Sequence, residues 1–207
     1  MKAKQKLKST TEEQDLTARE RLMHAAAGLF SQKGYAATSV REIVTAAGVS
    51  KPVLYYYFKN KEGIYHEIIR FGLEKVDGLI KDIKAMDCPV SVKILSLFER
   101  TIDAIKEDMK IIRLLYAVQY GACREVPKVS LQDIQDLFDD AVLELVKEGI
   151  KKGELKPDDP ELMRWVLVGA MSITVDMMIF RPELVGSRES LGRMVELILR
   201  GFVTKEN

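Results

Sequence analysis

From Leu22 onward the apolar residues of this chain come back at intervals of three and four, and no run in the N-terminal region alternates at intervals of two. Three to four is the pitch of an α-helix, whereas a half-buried strand shows a period of two, so the pattern predicts an all-α fold. The helical reading continues from Ile64 almost to the end, with breaks near Asp87-Cys88-Pro89, near Glu125-Val126-Pro127 and from Gly153 to Pro160. One long helix carries Leu131, Ile134, Leu137, Phe138, Ala141, Val142 and Leu145 on a single face and stops at Gly153. The next runs from about Pro160 to Phe180 and is apolar nearly all round, most densely over Trp165-Val166-Leu167-Val168-Gly169-Ala170-Met171. That predicts burial on several sides, in a core or against another subunit. The last helix repeats Leu191, Met194, Val195, Ile198 and Phe202.

The N-terminal region reads more finely. Residues 1–16 lack apolar periodicity and predict a flexible basic arm. Thr17-Ala18-Arg19-Glu20 has the form of a capping box, in which threonine and glutamate satisfy each other's backbone N–H groups, and the helix it opens closes at Gly34. Thr38 or Ser39 caps a second helix of about two turns with Val40, Ile43, Val44 and Ala47 on one face. Gly48 can take the left-handed conformation that ends it, Val49 can drop into the core, and Ser50 caps a third helix. Pro52 falls in the first turn of this third helix, where a missing N–H costs little, and Leu54 and Phe58 supply its inward face. Asn60 caps a fourth. The result is a helix, a tight turn and another helix.

Charge is distributed unevenly. The 207 residues sum to only +1, but residues 1–61 hold eleven Lys and Arg against five Asp and Glu, while the remainder holds twenty-one against twenty-six. A net +6 beside a net −5 is expected where one part of a chain meets phosphates and the other does not, although a solvated basic face gives the same count. The polar N-terminus and the lack of an uninterrupted apolar run of about 18 residues predict neither a signal peptide nor a membrane span. Cys88 and Cys123 show no CxxC spacing and, with only His24 and His66 beside them, form no zinc pattern, which fits a reducing cytoplasm.

The third helix comes after a glycine turn and carries Ser50, Lys51, Tyr55, Tyr56 and Tyr57, the chemistry of a helix that enters the DNA major groove. Successive helical residues point about 100° apart, so three consecutive tyrosines cannot all be buried on one side, and at least one faces solvent or a partner. The stretch TSVREIVTAAGVSKPVLYYYFKNKEGIY, residues 38–65, preceded by AAAGLFSQKGYAATS, resembles the TetR/AcrR family of transcriptional regulators. The resemblance covers roughly residues 17–70 and is architectural beyond them. It implies a helix-turn-helix DNA-binding domain over 17–62, a helical ligand-binding and dimerisation domain over 63–207, a homodimer, and repression of a palindromic operator that is relieved by a small molecule. It also implies that Arg41, Lys51, Pro52 and Val53 face bases, that Thr38, Tyr56, Tyr57 and Lys61 clamp phosphates, and that Tyr55 serves in either role, with Ser50 beside them. Two positions depart from the family pattern: Tyr56 stands where histidine is common, and Gly63 replaces a usual acidic residue, which weakens the start of the fourth helix.

Elsewhere the residues give less. Phe98, Tyr116, Gln119, Tyr120, Phe138, Met171 and Thr174 are of the kinds that line an adaptable apolar pocket with a few orienting polar groups, though core packing accounts for most such residues. Asp176 lies among apolar neighbours and needs a partner, Arg181 or Arg100, or an exposed helix edge. No nucleophile with a base, paired carboxylates, phosphate-cradling glycine loop or metal set is visible, so the sequence predicts neither an enzyme nor a cofactor. The last two helices are expected to form the dimer interface. An activator, or an architectural DNA-binding protein without an effector, remains the alternative function.

Overall fold

The computed structural model describes residues 17–120, 131–185 and 188–202. The arm over 1–16 and the break expected near Glu125-Val126-Pro127 lie outside these residues. Within them the chain forms α1 (Ala18–Lys33), α2 (Val40–Ala46), α3 (Lys51–Phe58), α4 (Lys61–Lys84), α5 (Val90–Glu107), α6 (Met109–Tyr120), α7 (Leu131–Lys151), α8 (Pro160–Phe180), a 3-10 turn (Pro182–Leu184) and α9 (Arg188–Phe202), with no strand among the described residues. They gather into two compact units, one of residues 17–71 with 110–120 and the other of 72–109 with 132–202.

In the first unit each short element begins and ends on an identifiable cap. Thr17 and Glu20 form the expected reciprocal box, and Ser39 rather than Thr38 does the same for α2 with Glu42. Gly34 closes α1 at φ 86°, its N–H donating to the Phe30 carbonyl at 2.9 Å. The α2–α3 turn depends on Gly48 at φ 63°, after which the Val49 N–H donates back to Val44 O at 3.0 Å. Ser50 takes the extended N-cap conformation of α3 but makes no side-chain cap bond, contrary to expectation. Of the two amides such a cap serves, the second residue's is missing because it is Pro52, and Val53 N–H is already taken by the Ser50 carbonyl at 3.1 Å. The three helices pack on one another around Leu22, Ala26, Phe30, Ile43, Leu54 and Phe58.

The turn into α4 is tight. Lys59 sits at φ 61°, and Asn60 caps α4 by accepting the Gly63 N–H at 2.7 Å. A Cβ on Gly63 would collide with the backbone carbonyl of Phe58. The absence of an acidic residue at this position is thus required by the close approach of the α3 C-terminus, which corrects the sequence reading of Gly63 as a weak helix start.

In the second unit α9 packs on α5 and α8 around Leu97, Phe98, Leu167, Val195 and Leu199. Gly153 ends α7 at φ 74° and Pro160 opens α8, both as the sequence predicts, and Asp159 caps α8 by accepting the Glu161 N–H. The break between α5 and α6 carries neither glycine nor proline: it falls at Asp108, whose carboxylate receives Lys75 Nζ at 3.3 Å. Lys93, only 6% exposed, places its ammonium 3.2 Å from the Lys84 carbonyl and 3.3 Å from Glu148. Arg164 bridges Asp139 at 2.8 Å and Glu161 at 3.1 Å. Neither arginine expected for Asp176 engages it: Arg181 turns to Glu183, Arg100 makes no bond to it, and Asp176 stays half-buried on α8.

Helix α8 is buried on one side only. Met163, Leu167, Met171, Thr174, Val175 and Met178 face the unit's interior, while Leu162, Trp165, Val166, Ile173, Met177 and Phe180 form an exposed stripe, with Trp165 at 62%. By length and composition alone α8 is a helix that could cross a membrane, a test that an interface helix also passes.

The caps and turns lead to two expected outcomes. Gly63→Ala should destabilise the protein by about 1–3 kcal/mol through overpacking against backbone, whereas Gly28→Ala, in open space within α1, should stabilise it by about 0.5–1 kcal/mol, both read from denaturant unfolding. The Glu42 carboxyl is held down to about 2, first by the bond from Lys33 and then by the N–H and hydroxyl of Ser39. A carboxyl whose folded value lies below its unfolded one stabilises the fold above the unfolded value and loses that contribution as pH falls through the folded value. The protection factors of the α2 amides, taken relative to the intrinsic exchange rate at each pH, should therefore fall as pH drops from about 4.5 toward about 2, and Glu42→Gln should remove most of that acid response; an undiminished response in the variant would assign it to other carboxylates.

Candidate nucleic-acid interface

Helix α3 is eight residues long, roughly 12 Å at 1.5 Å per residue, which is close to the width of the DNA major groove. Leu54 and Phe58 anchor it inward, so the remaining positions turn out by geometry. Lys51 and Tyr55 stand one turn apart along one line, with Pro52 and Tyr56 beside them and the exposed Lys59 at the end of the helix. All three tyrosines are exposed, Tyr56 to 81%, and the Tyr56 and Tyr57 rings meet edge to face at 5.0 Å. An apolar body with a polar tip exposed in triplicate is costly in water and suits a surface that binds a partner.

The charges around this helix are left available. The Arg41 guanidinium on α2 and the Lys51 and Lys59 ammonium groups make no hydrogen bond or ion pair among the described residues, and the Ser50 hydroxyl caps nothing. Several cations elsewhere in the same unit are committed, Lys33 to Glu42 and Arg19 and Arg70 to Glu67. With no acidic residue in the first turn of α3, its partial positive N-terminal end adds to these cations.

The sequence-derived DNA set therefore divides. Arg41, Ser50, Lys51, Pro52, Tyr55, Tyr56 and Tyr57 are exposed around the α2–α3 turn and along α3, and Val53 is half-buried among them. Two expected phosphate clamps turn inward instead. Thr38 is 2% exposed, and its hydroxyl donates to the Gly34 carbonyl at 2.8 Å. Lys61 Nζ donates to the carbonyls of Tyr35 at 2.9 Å and Thr38 at 3.0 Å and lies 4.2 Å from the centre of the Tyr35 ring. Lys59 is an addition that the sequence reading passed over; its signal was a basic residue one helical turn after Tyr55.

The residues proposed for a ligand pocket are spread out. Phe98, Phe138, Met171 and Thr174 are buried in the second unit, where the Phe98 and Phe138 rings meet edge to face at 5.7 Å. Thr174 does not present an orienting group, because its hydroxyl donates to Ala170 O at 2.7 Å on its own helix. Tyr116 is buried in the first unit, and the side chains of Gln119 and Tyr120 lie outside the described residues. A cleft between α5 and α9, lined by Phe98, Glu99, Ile102, Leu191, Gly192 and Val195, has about 10 Å³ of free space, the room of about one water.

Residues 22–68 match the family model of the bacterial regulatory proteins of the tetR family. Over 197 residues, spanning 94% of this chain and 95% of the relative, the sequence is 24% identical to the HTH-type transcriptional repressor KstR2 of Mycolicibacterium smegmatis. A solved Clostridium perfringens structure, named as that of a regulator of fatty acid metabolism, superposes with a TM-score of 0.74 at 25% identity, covering 89% of this chain and all of that one. The ketosteroid regulator KstR2 of Mycobacterium tuberculosis shares the fold with a TM-score of 0.71 at 24% identity, over 91% of this chain and 96% of that one. With its capped α1, its glycine-turned α2–α3 pair and its exposed outer face, the chain carries over residues 22–68 the helix-turn-helix domain of the tetR family of bacterial regulatory proteins.

Proposed function

We propose that this chain is a ligand-responsive repressor that holds a palindromic operator as a homodimer in the cytoplasm and is released by a small apolar or amphipathic effector. The observation that carries the DNA-binding part is the outward face of α2 and α3, where unpaired cations and exposed tyrosines surround a helix terminus free of acidic residues. Arg41, Lys51, Pro52 and Val53 read base edges, while Ser50, Tyr56 and Tyr57 hold phosphates and Tyr55 does either. Lys59 adds a cation to the same face. Thr38 and Lys61 support this surface from within.

Dimerisation is argued from affinity and surface chemistry together. One short helix makes few contacts, and two related by a twofold axis read successive major grooves. The α8 stripe from Leu162 to Phe180, with Leu197 on α9, is the apolar area a second copy would cover. The effector class rests on the apolar interior of the second unit, where Phe98, Phe138 and Met171 would rearrange to admit a ligand, and on relatives named for ketosteroids and fatty acids.

The direct test selects duplexes from a random pool with the purified chain. A palindromic consensus should emerge, and Arg41→Ala should erode discrimination at one position by about 1–3 kcal/mol; uniform loss at every position would remove Arg41 from the base-reading set. Ile173→Glu should yield a monomer in sedimentation with weakened operator binding, and an unmodified chain that is already monomeric at micromolar concentration would refute the dimer. An effector that lowers operator affinity tenfold must itself bind about tenfold more weakly in the presence of operator, a coupling of about 1.4 kcal/mol. Equal ligand affinity with and without operator would disqualify that ligand.

A further inference from the structure

Lys61 is the first residue of α4, where a cation is opposed by the partial positive charge of the helix terminus. Its ammonium nonetheless turns back across the domain to the loop between α1 and α2, with separations of 26 and 23 residues along the chain. There it meets the Tyr35 and Thr38 carbonyls and the face of the Tyr35 ring, so a charge, two acceptors and an aromatic quadrupole converge on one nitrogen. The ring is fixed in turn: Tyr35 packs against Phe30 of α1 at 5.2 Å and Tyr65 of α4 at 5.4 Å. Burial raises the Tyr35 hydroxyl's pKa and pushes that of Tyr65 up to about 12, so neither ring is charged near neutrality.

The Thr38 carbonyl stands immediately before the Ser39 cap of α2 and that of Tyr35 three residues earlier in the same loop, and Lys61 stands immediately after the turn that leaves α3. The ammonium therefore ties together the entry and exit of the segment that carries the whole reading surface. We infer that Lys61 is a positioning residue for operator recognition: it staples the ends of the α2–α3 segment through Tyr35 and Thr38, and preorganises the reading helices without contacting a phosphate. With two of its three N–H groups spent on these carbonyls and its charge set over the Tyr35 ring, the ammonium would bind a phosphate only in competition with these contacts, and a preordered reader binds more tightly because less ordering is left to the binding step. The inference rests on the DNA-binding reading of α2 and α3.

The experiment compares the full-length chain with Lys61→Met, Lys61→Arg, Tyr35→Leu and the Lys61→Met/Tyr35→Leu double variant. The probe is a duplex that the unmodified chain selects from a random pool, titrated across a salt series. A staple predicts that Lys61→Met lowers affinity about tenfold, the scale of losing one or two hydrogen bonds, with the salt slope unchanged. Lys61→Arg keeps the charge but cannot set one nitrogen over the ring and on both carbonyls, so it should fall similarly; Tyr35→Leu should also reproduce the loss, and the double variant should be little worse than either single one. Hydrogen exchange of the α2 amides in the free protein, measured well below the melting transition, should accelerate in Lys61→Met. A salt slope about 0.9 shallower for Lys61→Met, full function in Lys61→Arg and unchanged α2 exchange would overturn the staple and make Lys61 a phosphate ligand. Additive losses in the double variant would equally overturn it. Failure of the unmodified chain to select any duplex would count against the DNA-binding reading itself, and α2 exchange in the free protein would then decide the staple alone.

Discussion

Neither α2 nor α3 is long enough to persist by itself. At seven and eight residues they fall short of the roughly 12–15 at which even favourable sequences hold a helix in water, so both exist only because something outside them fixes their ends and covers one face. The cover is the buried face of α1, with Leu22, Ala26 and Phe30 beneath Ile43 and Leu54. The ends are fixed by the Ser39–Glu42 box, the left-handed Gly48 and the turn at Lys59 and Asn60. Orientation of the reading face is thus a by-product of packing: once Leu54 and Phe58 point in, Lys51, Tyr55 and Tyr56 have nowhere to point but out.

That dependence explains which features could be read without coordinates. Capping boxes, glycine stops and a proline in a first turn are local devices whose physics is complete within four or five residues, so Thr17, Gly34, Gly48, Gly153 and Pro160 announce their roles in sequence. Lys61 and Lys93 do not, because each is defined by groups far away in the chain, and a lysine gives no local sign that it will turn inward. At Gly63 the excluding group is only five residues away, but it is the backbone carbonyl that ends the preceding helix, and its approach depends on the turn at Lys59 and Asn60. The break at Asp108 was missed because it uses neither glycine nor proline and has Lys75 as a partner. Periodicity placed α8 correctly as a helix but could not separate its two apolar sides.

The electrostatics of the first unit show how a nearly neutral chain presents a basic surface. Acidic side chains there are consumed in structural work, Glu20 and Glu42 in caps and Glu67 between Arg19 and Arg70. Arg41, Lys51 and Lys59 are left without such a carboxylate, on α2, on α3 and at the residue that ends α3. Local excess therefore arises from the placement of carboxylates as much as from the number of cations, and a net charge of +1 says little about the field at α3.

Trp165 is the only tryptophan in the sequence, and it stands on the exposed stripe of α8 at 62% exposure. An indole in that position emits from water while the stripe is bare and from an apolar seam once it is covered. The molecule consequently carries a built-in optical gauge of association, in which the colour of its intrinsic fluorescence tracks how much of the α8 face is occupied, without a label and without disturbing the reading helices.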